Sequence, residues 1–418
     1  MGGLIFPIMN QWDAIVIGGG PAGSTAAHIL AKAGKSVLLI EGETFPRFHI
    51  GESLLPASTP IFKRLGLLER MQENFILKPG GKWFVGPGRW RGQFAECDPS
   101  ACFAEEPYAF MVERSLFDKI LLERAREVGV RILSPARVLQ PLMDGERVTG
   151  LRVRHPDGQT VDYRCPIVFD CSGRATFLAR KFGLLSPTTL NRMALYSYYR
   201  ATPQDPDLQD GWFVGQMIAD GWTWAIPLKD GRISVGVVFN QDQLAADRDP
   251  DDFYEASLRA SGFLERVFKA GFRRVDEIKR TANIGYSSRK LYGPGWVLAG
   301  DAGFFVDPCF SSGVHLALHT AVTAADGYLQ AAGDERLLSE FLANYERSIR
   351  AHEESVTLMV KHFYNVSRFP RVQKLTGVRE DWGKQIQFNT FIGGDFSLNP
   401  DFPKNTYAGV ARLMENPL

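Results

Sequence analysis

Four consecutive apolar residues, Ala14-Ile15-Val16-Ile17, follow Asp13 and predict a short strand covered on both faces, because the run is β-branched and too brief for a buried helix. Gly18, Gly20 and Gly23 come next in GGGPAG, then a helical stretch over Ser24–Ala33 and a second apolar strand over Ser36–Ile40 that stops at Glu41. From Gly51 to Glu105 the periodicity breaks down among Pro, Gly and aromatic residues. It resumes as a helix over Ser115–Val128 and as strands near Val130–Leu133, Arg147–Arg154 and Val161–Asp170. A second block of alternation spans Leu195–Phe239, where WTWAIPL and ISVGVVF flank a KDGR turn and predict a β-hairpin. Asp251–Ala270 is predicted helical, Gly295–Ala299 a strand, and a loop then opens another helix. From Asp334 the chain is mainly helical, with a Pro- and Asn-rich tail after Gly393 and no internal repeat. Strands of the parallel type therefore fall in three separated stretches with an antiparallel block between them, which predicts interleaved domains.

Composition narrows the class. The 418 residues are 45% apolar and 23% charged, and 48 basic side chains against 47 acidic ones leave a net charge of +1, so a nucleic-acid partner is not expected. Five cysteines, Cys97, Cys102, Cys165, Cys171 and Cys309, follow no zinc or disulfide spacing, which fits a reducing cytosol. The opening MGGLIFPIMNQWD lacks a basic n-region, and nowhere do 18 uncharged apolar residues run together. The expectation is a cytoplasmic protein with no membrane partner, and Met9 is an alternative start.

Candidate chemistry begins at the glycines. A tight turn after a strand lets backbone N–H groups meet a pyrophosphate at the positive end of a helix, and Glu41, about 20 residues on, is placed to accept from a ribose hydroxyl. In WVLAGDA, a strand end presents Asp301 just before another helix.

From Asp13 to about Ala325 the chain resembles the class A flavoprotein monooxygenase superfamily, through GGGPAG, the GD of Gly300-Asp301, and the R-x-x-F-D pattern Arg114, Phe117, Asp118. Three further motifs resemble flavin-dependent halogenases: WTWAIP from Trp222 to Pro227, FVDPCFSSG from Phe305 to Gly313, and the glycine- and aromatic-rich region around Lys78 in FILKPGGKWFVG. The segment FPRFHIGESLLPAS, Phe45–Ser58, resembles that family as well.

The resemblance implies an α/β chain: a doubly wound, Rossmann-like FAD-binding domain (10–55, 106–180, 281–333), an inserted antiparallel-sheet substrate domain (56–105, 181–280) and a C-terminal helical region (334–418). It implies FAD contacts at Gly18, Gly20, Ala22, Gly23, Glu41, Arg47, Arg114, Asp301, Pro308, Gly313 and Val314, with His49 near the cofactor. The segment Phe45–Ser58 is read as a helix cap or a flavin-contacting loop, and on the plainer alternative Glu52 and Ser53 begin the following helix. Trp222 and Trp224 project to one face of a strand and would separate flavin from substrate; the plainer alternative is a packed aromatic pair. Small residues before a helix form a nest suited to an anion, the resemblance implies that a halide sits at the backbone of Ser312 and Gly313, and a helix cap at Ser311 or Ser312 is compatible with that. Lys78 is the catalytic candidate, with Lys82 in its place if the loop register differs.

The implied activity uses FADH2, dioxygen and chloride or bromide to make hypohalous acid, which a lysine passes to an electron-rich aromatic. A separate NAD(P)H-dependent flavin reductase is the expected partner. The chain is similar to the branch acting on phenols or pyrroles, free or tethered to a carrier protein. Arg368, Arg371 and Lys374 would face such a carrier, or else form a solvated basic face. His315 and His319, one helical turn apart, are read as packing residues and no metal is expected. The alternatives are a flavin hydroxylase, a saturase of the geranylgeranyl reductase type, and a non-catalytic flavoprotein.

Overall fold

Both opening apolar runs, Ala14–Ile17 and Val37–Ile40, are buried along their whole length, as strands covered on two faces must be. The computed structural model describes residues 10–85, 88–200, 205–219, 221–244, 249–269, 271–368 and 382–396. The two runs lie side by side in a six-stranded sheet ordered Tyr292–Gly293, Trp296–Leu298, Val168–Asp170, Ala14–Ile17, Val37–Ile40, Arg131–Leu133. Every pairing in it is parallel except the two-residue edge strand Tyr292–Gly293. The helices Pro21–Lys32, Arg114–Glu127 and Ser312–Ala331 pack together, and Ala26, Ala27 and Leu30 of the first share one core with Val16 and Leu39. This is the doubly wound half of the α/β fold.

The antiparallel half is a larger sheet. Its path runs Phe304–Phe305, Lys279–Ser288, Leu185–Arg200, Arg232–Asn240, Gly221–Pro227, Phe213–Ile218, Gly80–Val85, Gly88–Gln93. One junction is parallel, that between Phe213–Ile218 and Gly80–Val85. The predicted hairpin is present, with Trp224 opposite Gly236. The long helix Glu335–Arg368 buries Leu342, Tyr345, Ile349, Val356 and Val360, a stripe at helical spacing that joins the main core.

Several elements differ from expectation. The stretch 51–105 is not irregular: it holds helices Thr59–Leu65 and Leu68–Asn74 and strands Ile76–Lys78 and Gly80–Val85. Those strands are short, glycine-rich and divided by Pro79, and they are held by pairing with Ala109–Met111 and Phe213–Ile218, far away in sequence. Val161–Asp170 is two strands, Thr160–Arg164 and Val168–Asp170, in different sheets; Pro166, which has no N–H to donate, lies between them. The strand Arg137–Asp144 has no clean alternation because none of its residues is buried, and it is fixed by its neighbour Arg147–Arg154. Arg371 and Lys374 lie outside the described residues, as does the tail beyond Phe396.

Cross-strand packing sets a firm expectation. A Cβ on Gly236 would sit 2.3 Å from the Trp224 ring, so Gly236→Ala should destabilise the protein by about 1–3 kcal/mol through overpacking, seen as a lower urea midpoint. An unchanged midpoint would show that the indole has room to move.

Candidate active site

A cavity of about 1160 Å³ connects the glycine turn of the parallel sheet to the inner face of the antiparallel one. At its first end the chain folds over itself with no space to spare: a Cβ on Gly18 would lie 2.4 Å from the Cys171 carbonyl oxygen, and one on Gly23 would lie 1.9 Å from that of Gly18. Only glycine at both positions lets the helix Pro21–Lys32 present its first N–H groups to the cavity. The Glu41 carboxylate accepts from the N–H of Gly19 at 2.7 Å and of Glu43 at 2.8 Å, and so stands fixed at the cavity edge.

Two arginines line the next stretch. Arg114 forks onto Asp118 at 2.8 and 3.1 Å and also donates to the Ile50 carbonyl oxygen. Arg47 lies 3.4 Å from Glu43 and 3.6 Å from Asp118, and its buried Nε has no hydrogen bond among the described residues. Asp301 closes this end; desolvation raises its carboxyl to about 6, while Arg114 and Arg174 pull in the other direction. Beside them, burial holds His49 down at about 4, neutral at physiological pH. A glycine cradle without room for side chains, an arginine nitrogen still able to donate and a carboxylate facing the void together fit a dinucleotide such as FAD.

Deeper in, Trp222 and Trp224 line the cavity from one strand, with ring centroids 5.7 Å apart. Trp83 packs 5.4 Å from Trp222 and 5.3 Å from Phe213, which extends the aromatic wall. Facing it is the loop before the helix Ser312–Ala331. Ser311 holds φ 58°, ψ 22°, a left-handed conformation that costs a non-glycine residue energy, directly before the helix whose first turn reaches the cavity at Gly313 and Val314. The N–H groups of that first turn have no partner inside the helix. Pro308, Ser311, Gly313 and Val314 all line the cavity, and Ser312 is buried beside them.

Lys78 and Lys82 are both buried, at 3% and 7% exposure, but their surroundings differ. Lys82 is 3.5 Å from the Asp207 carboxylate and donates to two backbone carbonyls. Lys78 donates to the Leu54 carbonyl oxygen at 2.9 Å and sits 5.1 Å from the Phe94 ring and 5.9 Å from that of Phe213. Among the described residues no carboxylate lies within ion-pair distance of it. Desolvation alone lowers its ammonium to about 7. Lys78 does not itself line the cavity, although Phe213 touches both.

Three parts of the site escaped the sequence reading. Glu52 opens no helix: it is buried on the cavity wall, accepts from the Tyr198 hydroxyl at 2.5 Å, and is raised to about 7 by desolvation. Ser53 is tied to the loop before the helix Ser312–Ala331 through a 3.1 Å bond from the Ser311 hydroxyl. Asp307, within FVDPCFSSG, is buried and hydrogen-bonded to Tyr364 from the long helix. The GES and FVDP spellings were visible, but nothing local in them shows which distant hydroxyl each carboxylate meets. His315 and His319 stack at 5.8 Å, with His352 5.2 Å from His319, and among the described residues no group of ligands suits a metal ion. Among those residues, too, no helix is long and apolar enough to cross a membrane.

Comparison with known proteins agrees with this geometry. The tryptophan halogenase family model matches residues 13–100 and 86–370. A tryptophan 2-halogenase of Chondromyces crocatus is 34% identical over 361 residues, 84% of this chain and 68% of that protein. A 1H-pyrrole-2-carbonyl peptidyl-carrier-protein chlorinase of Pseudomonas fluorescens is 32% identical over 367 residues, 82% of this chain and 81% of the other. Among solved structures, the flavin-dependent brominase Bmp2 superposes with a TM-score of 0.84 at 26% identity, covering 97% of this chain and 99% of its own.

The lysine assignment can be tested by linkage. Unfolded, Lys78 keeps its proton up to about pH 10.5; folded, it keeps it only up to about 7, so the unfolded state binds more protons between those values and stability rises with pH. Lys78→Met should remove that contribution, and its stability difference from wild type should shift by about 1.4 kcal/mol per pH unit between pH 7 and 10 in urea titrations. Parallel curves would mean the lysine is not desolvated.

Proposed function

From the premise that the chain belongs to the flavin-dependent halogenase family, whose members are FAD enzymes, we propose that it places chlorine or bromine on a phenolic or pyrrolic carbon, with Lys78 as the catalytic residue. The observation that carries this reading is Lys78: a buried amine that desolvation lowers to about 7, with the Phe94 and Phe213 rings 5.1 and 5.9 Å away and, among the described residues, no carboxylate within ion-pair distance.

When bound as FADH2, the cofactor would supply, with dioxygen and one proton, the oxidation of halide to hypohalous acid and water. The N–H groups of Ser312 and Gly313 would hold the halide, and Gly18, Gly20, Ala22, Gly23, Glu41, Arg47, Arg114, Asp301, Pro308 and Val314 the cofactor. Trp222 and Trp224 keep the organic substrate from the flavin end, so that only the small oxidant reaches Lys78. There the amine donates a hydrogen bond to hypohalous acid or carries the halogen as an N-halo amine. Substitution then moves the halogen to a ring carbon, the ring proton leaves and water forms.

A ring made electron-rich by its own O–H or N–H is the class an electrophilic halogen on an amine attacks most readily, which favours phenols and pyrroles. The Pseudomonas relative, named for a carrier-tethered pyrrole, supports testing tethered as well as free forms. A separate NAD(P)H-dependent flavin reductase supplies reduced flavin. On this reading residues 10–55, 106–180 and 281–333 serve the cofactor, and 56–105 with 181–280 the substrate.

The test is mass spectrometry of products from protein, FAD, reductase, NADH, halide and a panel of free and carrier-bound phenols and pyrroles, with tryptophan included. A halogen isotope pattern is expected, falling at least about a hundredfold in Lys78→Ala, with Lys78→Arg no better because a guanidinium keeps its proton. Oxygenated or reduced products that ignore halide would overturn the assignment.

A further inference from the structure

The two indoles of the aromatic wall are bound to the protein in matching ways. Trp222 donates from Nε1 to the Tyr364 hydroxyl at 2.9 Å, and that hydroxyl donates to Asp307 Oδ2 at 2.8 Å. Trp224 donates from Nε1 to the Ser234 hydroxyl at 3.2 Å, and Ser234 is in turn hydrogen-bonded to the Glu52 carboxylate. Indole N–H is donor-only, so each hydroxyl accepts from its indole and has its own proton to give to the carboxylate beyond, which sets its orientation. Both carboxylates line the cavity.

The two chains converge on one loop. Asp307 accepts the Cys309 N–H at 2.9 Å through its other oxygen and so caps the single turn Pro308–Phe310 that leads into Ser311. Glu52 precedes Ser53, whose hydroxyl takes the bond from Ser311. Arg192 stacks 4.0 Å over the Tyr364 ring and lies 3.8 Å from Asp307, which fixes the first chain further. Neither indole can turn without disturbing a carboxylate attached to the loop that carries the first amides of the helix Ser312–Ala331.

We infer that Tyr364 and Ser234 are positioning residues that lock the aromatic wall to the halide loop, so that halide binding and the exclusion of substrate from the flavin are set together. The inference rests on the halogenase reading for the role of that loop. A purely structural role, satisfying buried polar groups, would lower stability and leave halide binding alone.

The FAD-loaded enzyme is titrated with bromide by the change in the absorption spectrum of oxidised FAD. Halogenated product and peroxide are then measured per reduced flavin consumed, with the thermal midpoint as control. Tyr364→Phe keeps the ring and is expected to weaken bromide binding about fivefold, the worth of one hydrogen bond, and to shift consumption from halogenated product toward peroxide. Ser234→Ala is expected to lower the same product yield. If Tyr364→Phe does not fold, Asp307→Asn breaks the same chain from the loop side, since its amide nitrogen cannot accept the Tyr364 hydroxyl while its oxygen still accepts the Cys309 N–H, and it is read the same way. Unchanged bromide affinity and product yield with only a lower midpoint would overturn the tether while the halogenase reading stands. A wild-type enzyme that neither responds to bromide nor halogenates would overturn both.

Discussion

Flat packing of large rings against a sheet depends on what stands across the strand. Gly236 faces Trp224, and Gly215 lies where a Cβ would come within 2.5 Å of Trp83. With a side chain at either position the rings would have to stand away from the sheet, and Trp83, Trp222, Trp224 and Phe213 would no longer form one surface. The cavity lies against that surface, and Phe213, one of its rings, also faces Lys78 at 5.9 Å.

Charge burial is the second organising theme. Glu52, Asp301, Asp307 and Lys78 lie deep in the protein, and each is pushed toward its neutral form by desolvation. The protein treats them unequally. The carboxylates receive hydroxyl donors or the field of arginines, whereas Lys78 receives a single carbonyl and two aromatic faces. Lys82, four residues away, shows the contrast: an acidic partner and two carbonyls make it a structural cation.

Local signals were readable where chemistry and backbone coincide. Gly18 and Gly23 are needed by the turn itself, the apolar runs at 14–17 and 37–40 are needed by the sheet, and the WTWAIP hairpin follows from alternation and its turn. The region from 51 to 105 differs because its short strands are held by partners outside any local window: Ile76–Lys78 by Ala109–Met111, and Gly80–Val85 by Phe213–Ile218, more than a hundred residues away. Glu52 and Asp307 escaped for the same reason, since Tyr198 and Tyr364 lie 146 and 57 positions from them. Pro166 was the one local clue that could have divided Val161–Asp170 into two strands.

The order of strands in the parallel sheet also governs how the molecule is made. Trp296–Leu298 completes that sheet by pairing with Val168–Asp170, and the helix that faces the glycine turn begins only at Ser312. A ribosome must therefore deliver the chain as far as Ser312 before the pocket that opens at Gly18 can close, and until Trp296–Leu298 emerges the buried strand Val168–Asp170 lacks a neighbour on one flank. During synthesis the nascent chain carries an unfinished sheet edge, a natural client for chaperones that bind extended apolar segments.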